Sequence, residues 1–265
     1  MSVELKSSRE IEVMRQSGRI NAEVRALLCE AIRPGVTGIE LDRLAKEAIA
    51  ERDAFPTFVG YAPHGKPPYP GAICFSVNEE LVHGIPTERA LVEGDIVSID
   101  LGVTYGGYVS DAAFTAPVGE VPAEVRALLD ATRDALWAGI HAAQAGNRLG
   151  DVSAAIGGKA QCRPAVDGQE TEGAYGIVRG YGGHGVGRKM HMEPHIPNYG
   201  TPGKGLKLLP GMVLALEPMF ALGDPDTVET DDEWTVVMVD GRLSAHFEET
   251  VAITEDGPEV LTRIS

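Results

Sequence analysis

Apolar residues at Ile11, Met14, Ile20, Val24, Leu27, Leu28 and Ile32 recur at helical spacing, which predicts an amphipathic helix through SSREIEVMRQSGRINAEVRALLCEAI. Ser8 is placed to cap its start and Arg33-Pro34-Gly35 to stop it. A second helix is predicted over 39–52, ahead of a Pro- and Gly-rich loop from Pro56 to Gly71. The pattern then changes. VSIDLGVTYGGYVSDAAFTAPV is rich in β-branched and aromatic residues and reads as a hairpin with Tyr105-Gly106 as its two-residue loop. That register sets Asp100 directly opposite Asp111 on one face, with Cβ atoms about 4.5–5.5 Å apart. A second hairpin is expected in WTVVMVDGRLSAHFEETVAIT, turning at Asp240-Gly241, with Trp234 on the outgoing strand and Glu248 and Glu249 on the return.

The pattern is written twice. RPGVTGIELDRLA (33–45) matches QAGNRLGDVSAAI (144–156) at an offset of 111, each closing one helix with a glycine and opening another. LVEGDIVSID (91–100) matches LLPGMVLALE (208–217) at an offset of 117, each a turn glycine, a strand and a carboxylate. The repeat predicts one domain over 1–265 made of two related α+β halves, about 10–125 and 126–265. Asp100 and Glu217 then stand at equivalent positions, and a site between the halves draws on both.

Composition narrows the class. At 265 residues, 43% hydrophobic and with a mean hydropathy near zero, the chain suits a soluble globular protein. It has no apolar run of spanning length and no signal-peptide pattern. The three cysteines, Cys29, Cys74 and Cys162, are widely spaced, which argues against a disulfide framework or thiolate zinc site and for a reducing compartment. A net charge of −16 disfavours DNA as a partner.

The acidic residues also carry chemistry. Aspartate is a poor strand former, and two facing each other on a sheet are unfavourable without a cation between them. Glu217 closes the apolar run LALE, where an unpaired carboxylate is costly. GHGVGRKMHMEPH (183–195) holds three of the seven histidines in a stretch too rich in glycine for a helix. Asp100, Asp111, Glu217, one of Glu248 or Glu249, and a histidine of that stretch make a donor set of carboxylates with one imidazole. It suits Mn, Fe, Co or Zn. Four carboxylates suit two ions about 3.5–4 Å apart with a bridging water of lowered pKa, which is hydrolase chemistry.

As a set, CFSVNEELVHGIP (74–86), SIDLG (98–102), SDAAFT (110–115), GHGVGRKMHMEP (183–194), LALEPM (214–219) and SAHFEETVAITEDGPEVLT (244–262) resemble the type I methionine aminopeptidases of peptidase family M24 over nearly the whole chain. The resemblance implies the pita-bread fold, two pseudo-twofold-related α+β halves with a central antiparallel sheet and helices on its outer face. It implies removal of the initiator methionine from nascent proteins and peptides when the second residue is small, through a hydroxide bridging two divalent ions (Co, Mn, Fe or Zn). Carried over by position, it makes Asp100, Asp111, His184, Glu217 and Glu248 the metal ligands, and so chooses Glu248 over Glu249. Many bacterial relatives have His where Glu249 stands, and the added charge beside a ligand is expected to bear on metal preference. His83 and His191 match the family's substrate-contacting histidines, catalytic together with Glu217, and Tyr69, Cys74 and Trp234 match its methionine pocket. His64, His141, His195 and His246 are expected to be structural or surface residues. The loop 56–70 does not align cleanly with the family. The family further implies a cytoplasmic monomer in transient contact with the ribosome. The alternatives are an Xaa-Pro-directed aminopeptidase of the same fold, which generally carries an extra N-terminal domain, and a non-catalytic binding protein, which is expected to have lost ligands.

Overall fold

The computed structural model describes residues 3–161, 163 and 173–264; Cys162 and the His64 side chain lie outside the described residues. The chain opens with α1 (Ser8–Ala31) and α2 (Gly38–Ala50). Each begins in a capping box, Ser7 with Glu10 and Thr37 with Glu40. The cap of α1 is therefore Ser7 and not Ser8, because the glutamate that completes the box lies three residues beyond Ser7. Next come β1 (Phe55–Pro56), β2 (Cys74–Val77), β3 (Glu80–Val82), β4 (Ile96–Tyr105) and β5 (Tyr108–Pro117). The second half supplies α3 (Ala123–Ala142), α4 (Leu149–Lys159), β6 (Gly176–Ile177), β7 (Gly182–Gly185), β8 (Met192–Pro197), β9 (Val213–Leu216) and β10 (Met219–Ala221). It ends with β11 (Thr227–Glu229), β12 (Val236–Met238), β13 (Ser244–His246), β14 (Glu249–Thr254) and β15 (Gly257–Val260). Among the described residues no helix is long and apolar enough to cross a membrane.

The strands pair antiparallel, in the orders β1-β4-β2 with β5 on β4, β15-β14-β9-β7-β8, β13-β10-β6 and β11-β12-β3. The two largest sets meet along a seam where β5 runs beside the segment leading into β14. There Glu248 N donates to Ala113 O at 2.9 Å and Ala113 N to Glu248 O at 3.2 Å. Side-chain hydroxyls take over the neighbouring ladder positions: Thr250 Oγ1 accepts from Asp111 N and donates to Asp111 O, and Thr115 Oγ1 does the same with the backbone of His246. This seam is what interrupts the regular ladder at the centre of the molecule.

The repeated sequence stretches take the same local structure. An isolated bridge joins Thr37 to Ala90, and another joins Arg148 to Lys207, at the same two sequence offsets. Gly35 and Gly146 have φ of 92° and 95°, and Gly94 and Gly211 have 93° and 94°. Each half wraps its own helix pair. Leu28, Leu41, Ile49, Phe75 and Ile99 share one apolar cluster, and Leu128, Leu136, Ile156, Leu214 and Phe220 share another.

Two turn expectations need correction. The first hairpin turns at Gly106-Gly107, not Tyr105-Gly106, and pairs Tyr105 with Tyr108. Both turn residues have positive φ, 56° and 79°, which glycine adopts without strain and tyrosine does not. Asp111 consequently pairs with Gly102 and Asp100 with Ala113, so the two aspartates are diagonal neighbours on one face and not direct opposites. Asp240-Gly241 is a tight turn, with Gly241 N donating to Met238 O at 3.1 Å, but it joins no hairpin. β12 pairs with β11 and β3, while β13 pairs with β10, because both strands find their apolar partners in separate sheets.

Candidate metal centre and substrate cavity

A cavity of about 300 Å³ opens between the halves, and the structure brings every sequence-predicted site residue to its wall. Asp100 and Asp111 come from β4 and β5, His184 from β7, Glu217 from the end of β9 and Glu248 from the residue before β14. Asp100 stands on β4 between β2 and β5, and His184 on β7 between β8 and β9. The glycines around His184 are needed for that approach: a Cβ on Gly183 would lie 2.4 Å from Ala215 O, and one on Gly185 would lie 2.2 Å from Glu193 O.

Donor atoms of Asp111, His184 and Glu248 lie within 4.8 Å of one another. Glu217 Oε1 is 3.6 Å from His184 Nε2, and Asp111 Oδ2 is 3.9 Å from it. Buried oxygens of Asp100 (Oδ1), Asp111 (Oδ1) and Glu248 (Oε1) have no hydrogen-bond partner among the described residues. Like charges packed out of water hold protons or need a cation. Burial raises Asp111 to about 7. Burial, followed by the charges of the neighbouring carboxylates, pushes Asp100, Glu217 and Glu248 well above the usual range. Burial also lowers His184 to about 3, so its imidazole is neutral and free to donate a lone pair. Orphaned carboxylate oxygens with one neutral imidazole fit hard or borderline divalent ions.

Aromatic side chains form the rest of the wall. Tyr69 meets Trp234 edge-on with ring centroids 5.0 Å apart, and Cys74 pairs across the ladder with Asp100. His83 follows β3 with φ 62°, uncommon for a residue with a side chain. Its successor Gly84 is clamped: Gly84 N donates to Ser76 Oγ, and Gly84 O accepts from Phe75 N and Tyr69 Oη. His191 stands at the mouth, its ring centroid 4.4 Å from that of His184.

Sequence reasoning missed several contributors. His246 is buried, not a bystander, and its Nε2 points at Glu217 Oε2 from 3.5 Å. Strand alternation held the signal, since 246 lies two residues from Glu248 in an extended segment. The loop 56–70, which does not align with the family, supplies Phe58, Tyr61 and Lys66 to the wall, and the Tyr61 hydroxyl lies 2.8 Å from His191 Nδ1. His141 and His195 are exposed, in line with expectation. Glu249 points out of the cavity toward α1, where Arg25 Nη2 donates to its Oε2 at 2.9 Å.

The model of metallopeptidase family M24 matches residues 12–255. The chain belongs to metallopeptidase family M24. Among M24 proteins, a methionine aminopeptidase of Clostridium acetobutylicum is 46% identical over 259 residues, covering 97% of this chain and 98% of its own. The crystal structure of the methionine aminopeptidase from Thermotoga maritima matches with a TM-score of 0.90 and 41% identity, over 99% of this chain and all of that one. An Xaa-Pro dipeptidase from Bacillus anthracis shares the pita-bread fold at a TM-score of 0.72, but at 21% identity and with only 62% of its length covered. M24 membership and the Asp111–His184–Glu248 group agree on a divalent metal as the cofactor.

Proposed function

We propose that this M24 protein is a methionyl aminopeptidase, acting on peptides and nascent polypeptides with an N-terminal methionine and a small second residue. The observation that carries the reading is one cavity with a carboxylate–imidazole floor and an apolar, polarisable wall of Tyr69, Cys74 and Trp234. A thioether side chain suits such a wall, and the acidic floor attracts a free α-amine. Asp100, Asp111, His184, Glu217 and Glu248 would hold two divalent ions. Bound there, the ions supply Lewis acidity and lower the pKa of water.

The protein groups then divide the remaining work. Glu217 takes a proton from the water that adds to the first carbonyl carbon and returns it to the amine that leaves when the C–N bond breaks. The Tyr61 hydroxyl lies 2.8 Å from His191 Nδ1; in the tautomer where that hydroxyl donates, the Nε2 of the ring carries the proton and donates to the developing oxyanion. His83 holds the scissile amide. The catalytic unit is the single domain over 1–265, its halves about 10–125 and 126–265 closing on one site. It works as a cytoplasmic monomer and meets the ribosome transiently with its own surface.

Paired peptides test the reading. Metal-stripped protein is expected to release methionine from Met-Ala-Ser only after Mn, Co, Fe or Zn is added, and to leave Ala-Pro-Ala intact. Cleavage of the second peptide would move the assignment to an Xaa-Pro enzyme, and turnover of neither would refute it. A second measurement concerns the mouth. Lys66 pairs with Glu229, donates to Glu233 O at 2.5 Å and lies 5.2 Å over the Trp234 ring. Lys66→Ala unfastens the 56–70 loop from the pocket wall, and KM for Met-Ala-Ser is expected to rise about fivefold, the equivalent of about 1 kcal/mol.

A further inference from the structure

Glu249, the negative charge beside Glu248 that is expected to bear on metal preference, has a partner in the structure. Glu249 is 9% exposed and faces Arg25, which α1 delivers from the first half. Arg25 Nη2 reaches Glu249 Oε2 at 2.9 Å and Nη1 reaches Oε1 at 3.4 Å. Arg25 also donates to Thr262 O, and Thr262 Oγ1 donates to Glu249 Oε2. The contacts continue inward. Thr262 Oγ1 accepts from Thr250 N at 3.0 Å, and Thr250 Oγ1 clamps Asp111 through both backbone groups, at 2.9 Å and 2.8 Å. Glu249 is thus covalently next to Glu248 and two hydrogen-bonded residues from Asp111.

The helix that carries Arg25 is itself pinned. Ser17 Oγ donates to Val103 O at 2.8 Å, and Asn21 Nδ2 donates to Leu101 O at 2.7 Å, both on β4. A bidentate guanidinium–carboxylate contact is directional and partly desolvated, so it fixes orientation as well as position. Neither Arg25 nor Glu249 lines the cavity.

We propose that Arg25 and Glu249 are a positioning pair that presets the Asp111 and Glu248 carboxylates, so that the affinity of the centre for divalent metal depends on an ion pair outside it. The proposal rests on the ligand assignment above. Partners behind ligating groups typically contribute about 10- to 100-fold in metal affinity or activity, which sets the expected size.

Mn(II) binding to the full-length protein, followed by titration calorimetry and by the EPR signal of free Mn(II), tests the pair. Arg25→Met and Glu249→Gln are each expected to weaken Mn(II) binding at least about tenfold. The double variant is expected to be no weaker than the worse single one, because the two residues act as a unit. Arg25→Lys restores charge without the fork and is expected to recover affinity only in part. Should Arg25→Met not fold, Thr262→Val removes the bridging hydroxyl and reads the same coupling. Mn(II) affinity within twofold of wild type in every folded variant, even with a lowered melting temperature, would overturn the pair's role. Glu248→Gln is the control for the assignment beneath it: wild-type Mn(II) affinity there would overturn the ligand set and the pair together. Loss there with no loss on changing Arg25 or Glu249 would overturn the pair alone.

Discussion

Glu217→Gln is expected to lower kcat for Met-Ala-Ser by about a thousandfold, the middle of the range for a positioned acid–base group. Glu217 is also one of the assigned ligands, so metal affinity is expected to fall as it does for Glu248→Gln, and turnover is compared at Mn(II) concentrations that load both proteins equally by elemental analysis. The size of the effect follows from placement. The Glu217 carboxyl is pushed well above the usual carboxylate range, first by burial and then by Asp100 and Asp111. It lies between two buried neutral imidazoles, 3.6 Å from His184 Nε2 and 3.5 Å from His246 Nε2, so it can exchange a proton without competing against bulk water. Asn198 Nδ2 holds the Glu217 carbonyl at 2.9 Å, which fixes the backbone from which the carboxyl swings. Wild-type turnover by a fully metallated Glu217→Gln protein would remove that residue from proton transfer.

The second large effect concerns pH and the metal together. In metal-free protein the four buried carboxylates have folded-state pKa values above their unfolded ones, Asp111 at about 7 and Asp100, Glu217 and Glu248 raised as well. Where such a group titrates, the folded state binds more protons than the unfolded one, so stability falls as pH rises. The buried histidines act in the opposite sense. His184 and His246 are lowered to about 3 and His83 to about 4. Their contribution grows as pH rises toward about 6.5 and is complete above it. The clean window for the carboxylates therefore lies between about pH 6.5 and 8. There each proton lost by the folded state alone costs up to about 1.4 kcal/mol per pH unit. The melting temperature of metal-stripped protein is expected to fall by several degrees across that window. Saturating Mn(II) is expected to remove or reverse the slope, because a bound cation replaces the protons that hold the carboxylates together. A metal-free melting temperature that stays flat or rises there would mean that the four carboxylates are not charge-frustrated.

Much of this architecture is legible in the sequence where local chemistry and periodicity agree. Asp100, Asp111 and Glu217 are conspicuous because a carboxylate inside a strand, or closing an apolar one, has no local reason to be there. The Gly-rich stretch around His184 advertises close strand approach. Legibility ends where function depends on contacts distant along the chain. Nothing in the spacing of GHGVGRKMHMEPH separates His184 from His191; the family resemblance separates them, and in the fold one lies at the floor and the other at the mouth. Arg25 and Glu249 stand 224 residues apart, and neither signals the other. His246 is within reach of strand alternation, but its strand pairs with β10 and not with β12, because turn residues at Asp240-Gly241 predict a reversal and not which strand will be the partner. Tyr61 and Lys66 belong to an irregular loop, where position follows from the docking of the loop and not from any period.

Neither side of the seam through the middle of the molecule holds the whole candidate ligand set. Asp100 and Asp111 come from one half, and His184, Glu217 and Glu248 from the other. A short ancestral chain amounting to one half would own only part of a site, and could complete it only by meeting a second copy of itself about a twofold axis. Fusion of two such genes would turn a concentration-dependent encounter into a permanent one. It would also release the two sides from identity, since matching positions would no longer be encoded by the same codon. In a single chain the two sides need not match: Asp100 and Glu217, at corresponding places in the repeated sequence, differ by one methylene, so the cradle they share can be asymmetric.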